Sequence, residues 1–193
     1  AGNIFDRRNL SRYLQSSPVS LLLYDYGGFG RSVGEATTTS ILEDGEDIYN
    51  YIKNMYPDRE IILWGESMGS AVAWHLASKY DIKGLIITSG YASLVDVINN
   101  VTVLGVGELL SYLMFLPDNT IHATQIGCPV LLFHADDDDL IPISHAIKLA
   151  DMVNKVNPAS GTLIQSHGGH NFNIMNHRSE IIDFIQSING RQQ

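Results

Sequence analysis

Five short apolar runs punctuate the chain: "VSLLLYDY" at 19–26, "IILWG" at 61–65, "GLIIT" at 84–88, "VLLFHA" at 130–135 and "GTLIQS" at 161–166. Each is close to continuously apolar, the pattern of a strand covered on both faces and not of one that alternates between core and water. Longer segments with helical spacing lie between them: "SILEDGEDIYNYIKNM", "SAVAWHLASKY", "SHAIKLADMVNKV" and, at the end, "SEIIDFIQSI", which sets Ile181, Ile182, Ile185 and Ile188 on one face. Alternation of this kind predicts a three-layer α/β/α sandwich around a mostly parallel sheet. At 193 residues and 45% hydrophobic content the chain reads as one globular domain over 1–193, without internal repeats.

The charge narrows the partners. Twenty-one acidic against 12 basic residues leave a formal net charge of -9, so there is no chain-wide basic field to neutralise a phosphate backbone, and a nucleic-acid partner is not expected. Cys128, the single cysteine, has no internal disulfide partner and reads as a buried structural thiol. The most apolar stretch, "VTVLGVGELLSYLMFL" at 101–116, carries Glu108 and two glycines and falls short of the roughly 20 residues that span a bilayer. No secretory signal is visible, and the expected location is cytoplasmic or membrane-associated rather than secreted.

Within "IILWGESMGSAVAWHL" the residues Gly65, Glu66, Ser67, Met68 and Gly69 form GxSxG between a predicted strand and a predicted helix. A serine hydroxyl is a weak nucleophile unless it stands clear of the backbone beside a base, and a sharp strand-to-helix turn presents it in that way. Small residues two positions either side are expected to let the turn close, and the Met68 amide at the helix N-terminus is the candidate oxyanion donor. Glu66 has no evident partner in the sequence and is assigned a local structural role.

A base and an acid should follow Ser67 in the order acid, then histidine, each after a strand. Of the seven histidines, His75 and His145 fall inside helical patterns and His122 precedes the Cys-Pro strand. The glycine-rich "SHGGHNF" after the last strand offers His170, with His167 as its rival. The preceding strand runs into four aspartates, Asp136 to Asp139, of which one would orient the histidine and stabilise its cation. A calcium loop does not fit: starting at Asp136 it would place Ile141 where glycine is needed and Ile147 where the bidentate glutamate belongs.

Taken together, "YDYGGFGRSVGE", "LWGESMGSAVA", "TSGYASLVDV", "FLPDNTI", "CPVLLFHADDDDLIP" and "GGH" resemble the α/β-hydrolase superfamily, and within it the serine-hydrolase-domain proteins that include acyl-protein thioesterases and lysophospholipid lipases. The family's HGxxDxxVP loop is similar to His134, Ala135, Asp138, Ile141 and Pro142, a match that selects Asp138 among the four aspartates. The resemblance thus implies Ser67 as nucleophile, Asp138 as acid and His170 as base, with Asp136, Asp137 and Asp139 expected to tolerate change. It also implies an ester or thioester substrate, an acyl-enzyme intermediate, and no metal or organic cofactor. A peptidase of the same superfamily, or a non-catalytic binding protein that keeps the fold, are the alternatives.

Two departures from the family pattern bear on the site. Gly27, Gly28, Phe29 and Gly30 stand where the family has Arg-Gly-Tyr-Gly. The opening "AGN" resembles the tail of the loop that supplies the second oxyanion amide, so the fold is expected to be N-terminally truncated, with room upstream for a membrane-associating segment. Finally, the long apolar segment 91–125 is expected either to cap an acyl pocket, with Leu104, Leu110, Met114 and Phe115 on its wall, or to pack as a helix on the sheet.

Overall fold

The computed structural model describes residues 3–14, 17, 19–93, 96–97 and 118–190. Four parallel strands, β1 (Ile62–Glu66), β2 (Gly84–Thr88), β3 (Val130–Ala135) and β4 (Gly161–Ser166), lie in the order β1-β2-β3-β4. β2 and β3 are buried along their whole length, which is why their sequences carry no alternation. Their side chains nonetheless divide by parity. Leu85, Ile87, Val130 and Leu132 face one apolar cluster, and Ile86, Leu131, Phe133 and Ala135 face the other.

The first cluster is covered by α2 (Thr38–Met55), α3 (Gly69–Lys79), the short α4 (Asn119–Ala123) and α5 (Ser144–Val156). The second is covered by α6 (Arg178–Asn189), through Ile181 and Ile185, and by Leu14 just beyond α1 (Arg8–Tyr13). Helices on both faces of the parallel sheet make the three layers that the sequence predicts. The small-residue patch "ATTTS" proves to be a helix start: Thr37 accepts the Ser40 amide at 3.0 Å and Ser40 Oγ accepts the Thr37 amide at 2.8 Å, a reciprocal cap on α2.

The run at 19–26 departs from expectation. It is partly exposed and belongs to no strand. Its carbonyls serve turns instead, Tyr26 O accepting the Phe29 amide at 2.9 Å and Asp25 O accepting Ser32 Oγ at 2.8 Å. Apolar character expresses a preference for a sheet, but a strand also needs a neighbour to pair with, and among the described residues this run has none.

Of the segment 91–125, both ends are described. Tyr91, Ala92 and Ser93 are buried, and Asn119 Nδ2 donates to the Tyr91 carbonyl at 2.8 Å, which ties the two ends together. Leu104, Leu110, Met114 and Phe115 lie outside the described residues. Cys128 is buried, and burial pushes its thiol up to about 11, so it is protonated and inert at neutral pH, as an interior cysteine should be.

Because all four strands run the same way, their C-terminal ends open on one edge of the sheet. Ser67, Ser89, the aspartates from Asp136 and the loop from His167 follow β1, β2, β3 and β4 in turn, so residues more than 100 positions apart in sequence converge there.

Candidate active site

Ser67 follows β1 with φ 50°, in the left-handed region that a serine rarely occupies. Three bonds hold the turn: Ser67 N donates to Thr88 O at 2.9 Å, Ser70 N to Ser67 O at 3.0 Å and Ser70 Oγ to the same carbonyl at 2.6 Å. None of these uses Ser67 Oγ, which points away from its own backbone.

The two motif glycines are not equivalent. A Cβ on Gly65 would lie 2.6 Å from Gly69 O and 2.7 Å from Ser70 Cα, which are backbone atoms that cannot swing aside, whereas a Cβ on Gly69 would meet only Tyr26 Oη at 3.5 Å. Smallness is thus demanded at Gly65 and not at Gly69, where the sequence reading expected it equally. Gly65→Ala is expected to cost about 3 kcal/mol of stability. Gly69→Ala should stay within about 1 kcal/mol of wild type. Chemical denaturation of the two variants side by side checks both.

Glu66 also has a partner that local sequence could not reveal. Arg7 Nη2 donates to Glu66 Oε1 at 2.6 Å across 59 positions. Both side chains are more than a third exposed, so the pair contributes at most about 1 kcal/mol.

His170 Nε2 lies 2.9 Å from Ser67 Oγ and His170 Nδ1 2.9 Å from Asp138 Oδ2. The carboxylate fixes the tautomer, since Nδ1–H donates to Asp138 and Nε2 is left as acceptor for the serine hydroxyl. Asp138 is buried with its side chain fully enclosed. Oδ1 accepts the amides of Leu140 and Ile141 at 3.0 and 2.9 Å, while Oδ2 faces His170 and lies 3.3 Å from His134 Nε2. Burial alone would raise its pKa; the hydrogen bonds from His134, His170 and the Ile141 amide outweigh that and hold it below the ordinary carboxylate value. Asp138 is therefore held ionised at neutral pH. The loop spacing now has a cause, because the Asp138 carboxylate must reach back from the amides two and three residues on before Pro142 and α5 begin.

His134 is wholly buried, with Nε2 donating to Ile141 O at 2.6 Å, and it braces the Asp138 loop from beneath. Ser89, also buried and at φ 48°, donates through Oγ to the His170 carbonyl at 2.8 Å. Sequence reasoning gave neither a role at the site. The one available signal for Ser89 is a polar residue directly after a fully apolar strand, and for His134 it is a histidine inside one.

The remaining histidines are accounted for. His75 pairs with Glu46, His122 Nδ1 with Ser78 Oγ, and His145 Nδ1 accepts the Ala92 amide. His177 sits between Glu180 and Ser166 Oγ. His167, the rival base, is 80% exposed and turned toward Asp136 and Asp137, whose carboxylates raise its pKa. Asp136, Asp137 and His167 bring three ligand-type atoms within 4.8 Å of one another, but all three groups are exposed and already bonded together.

At the start of α3 the Met68 amide is bonded to no acceptor among the described residues. A helix N-terminus offers its free N–H groups to negative charge.

The family model described as serine aminopeptidase, S33 matches residues 6–114. An uncharacterized protein of Acanthamoeba polyphaga mimivirus is 32% identical over 190 residues, which cover 89% of this chain and 64% of that protein. Lysophosphatidylserine lipase ABHD12 of Danio rerio is 26% identical over 175 residues, covering 82% of this chain and 46% of that protein. The chain therefore spans less than two thirds of the length of either relative. Among solved structures, the esterase Pf2001 of Pyrococcus furiosus superposes with a TM-score of 0.81 at 19% identity, over 96% of this chain and 77% of that one. Family match, strand order and fold agree: the chain belongs to the α/β-hydrolase superfamily, in the family described as serine aminopeptidase, S33.

Proposed function

We propose that the protein is a serine hydrolase that cleaves a carboxylic ester or thioester, with an acyl chain on the acid side, through an acyl-enzyme intermediate. The observation that carries this reading is the continuous relay from Ser67 Oγ through His170 to the ionised Asp138, both links at 2.9 Å. In the first half-reaction His170 Nε2 takes the Ser67 proton as Oγ bonds to the carbonyl carbon. Asp138 stabilises the imidazolium, and the Met68 amide donates to the developing oxyanion. The imidazolium then protonates the leaving alcohol or thiol. In the second half-reaction the same nitrogen takes a proton from water as its oxygen bonds to the acyl carbon, and then returns that proton to Ser67 Oγ as the bond from Oγ to the acyl carbon breaks and the acid leaves.

The esterase and lipase names among the relatives and neighbours support an ester over an amide. The name of the matching family, a serine aminopeptidase, keeps a peptidase as the second reading. The wall of the acyl pocket is proposed at Leu104, Leu110, Met114 and Phe115, where the apolar run is longest.

A panel of p-nitrophenyl esters of increasing acyl length, run beside aminoacyl p-nitroanilides, separates the two. The ester reading expects turnover that rises from acetyl toward medium chains, with anilides at least about 100-fold slower in kcat/KM. Anilide hydrolysis equal to or faster than ester hydrolysis would move the assignment to a peptidase.

A further inference from the structure

The carboxylate beside the proposed catalytic acid is aimed at the other end of the same histidine. Asp137 Oδ1 accepts two consecutive amides, those of Gly168 and Gly169, at 2.8 and 2.9 Å. Both glycines have positive φ, 120° and 71°, a backbone conformation that favours glycine. Two glycines in sequence are the softest point of the loop, and it is their amides that Asp137 fastens. Its pKa is lowered, first by the Gly169 amide and further by the Gly168 amide, against an opposing desolvation. Oδ2 lies 3.3 Å from His167 Nε2, whose ring also bonds Asp136.

His170 is thus gripped at three places. Asp138 holds the ring, Ser89 holds the carbonyl, and Asp137 holds the two residues immediately before it. Adjacent residues in an extended or turning chain point their side chains in divergent directions. The Asp137-Asp138 pair uses that divergence to address the backbone and the imidazole of one histidine from a single loop. Asp139, exposed and without a bond to the loop, is not part of the grip.

We infer that Asp137 is a positioning residue, acting through the Gly168 and Gly169 amides to hold the His170 imidazole in line between Asp138 and Ser67. It touches no reacting atom. Its effect is geometric, and a loss of alignment approaching 1 Å costs up to about 100-fold in rate. The inference runs against the expectation from sequence that Asp137 tolerates change like Asp136 and Asp139.

This inference rests on the proposed reading of Ser67, Asp138 and His170, and its test is built to fail separately from it. Asp137→Ala removes both bonds, while Asp137→Asn keeps a carbonyl oxygen able to accept both amides. In the intact protein, Asp137→Ala is expected to lower kcat by about 10- to 100-fold at little-changed KM, and Asp137→Asn to recover most of that loss. Amide hydrogen exchange, which needs no turnover, is expected to quicken at Gly168 and Gly169 in Asp137→Ala and to stay near wild type in Asp137→Asn. Wild-type kcat in Asp137→Ala, an Asp137→Asn defect as deep as that of Asp137→Ala, or unchanged exchange at the two glycines would each overturn it. Absence of any Ser67-dependent turnover in the wild type would instead sink the hydrolase reading, leaving the exchange result to decide the clamp.

Discussion

Ser67→Ala is expected to lower ester turnover by about 10⁶, to the level that binding and the oxyanion donor alone sustain. The size follows from the role proposed for the residue, since without Oγ no acyl-enzyme could form and His170 would have no proton to take. The fold should be indifferent. Ser67 is held at φ 50° by its backbone bonds to Thr88 and Ser70, and among the described residues its Oγ bonds His170, so alanine inherits the same strain and loses one part-buried hydrogen bond. Thermal unfolding within a few degrees of wild type, beside the collapse in turnover, separates lost chemistry from lost structure.

Asp138→Asn is expected to lower turnover by about 10⁴, through the tautomer of His170. The amides of Leu140 and Ile141 both donate to Oδ1, so an asparagine must put its carbonyl oxygen there. Its NH₂ group then falls where Oδ2 was, facing His170 Nδ1 at 2.9 Å and His134 Nε2 at 3.3 Å. A donor opposite Nδ1 requires that nitrogen to accept, which moves the ring proton to Nε2, the atom that must take the Ser67 proton. The base is present and in place but already protonated at the wrong nitrogen. Asp139→Asn, on an exposed side chain, is the matched control and should turn over at near the wild-type rate. Steady-state kinetics of the pair on one ester checks the contrast.

Much of this architecture was legible because burial leaves a mark on composition. The strands 84–88, 130–135 and 161–166 could be bounded to the residue, since each starts at a glycine or after a proline and stops at a polar or charged residue. The run at 19–26 has the same composition and is no strand, because pairing is a property of two segments and sequence displays one. The same limit hid the partner of Glu66, which lies 59 positions away in Arg7. The proposed triad could be picked out before its geometry was known, Ser67 and His170 from motif and order and Asp138 from the family resemblance, and the fold brings the three side chains together. Their supports could not, because Ser89, His134 and Asp137 act through backbone groups of other loops, and no spacing rule records those. The four aspartates, alike in sequence, divide in the fold into one enclosed among amides and histidines, one that clasps a glycine turn, one paired with an exposed histidine, and one exposed without a bond to that turn.

The central claim is that His170 and Asp138 activate Ser67 as a nucleophile. Its most direct measurement is the reaction of the intact protein with a fluorophosphonate, followed by peptide mass spectrometry. The account predicts a single covalent adduct on Ser67, absent from Ser67→Ala and formed far more slowly in Asp138→Asn. A folded protein that takes up no phosphonate, or takes it up at any other residue, would contradict it.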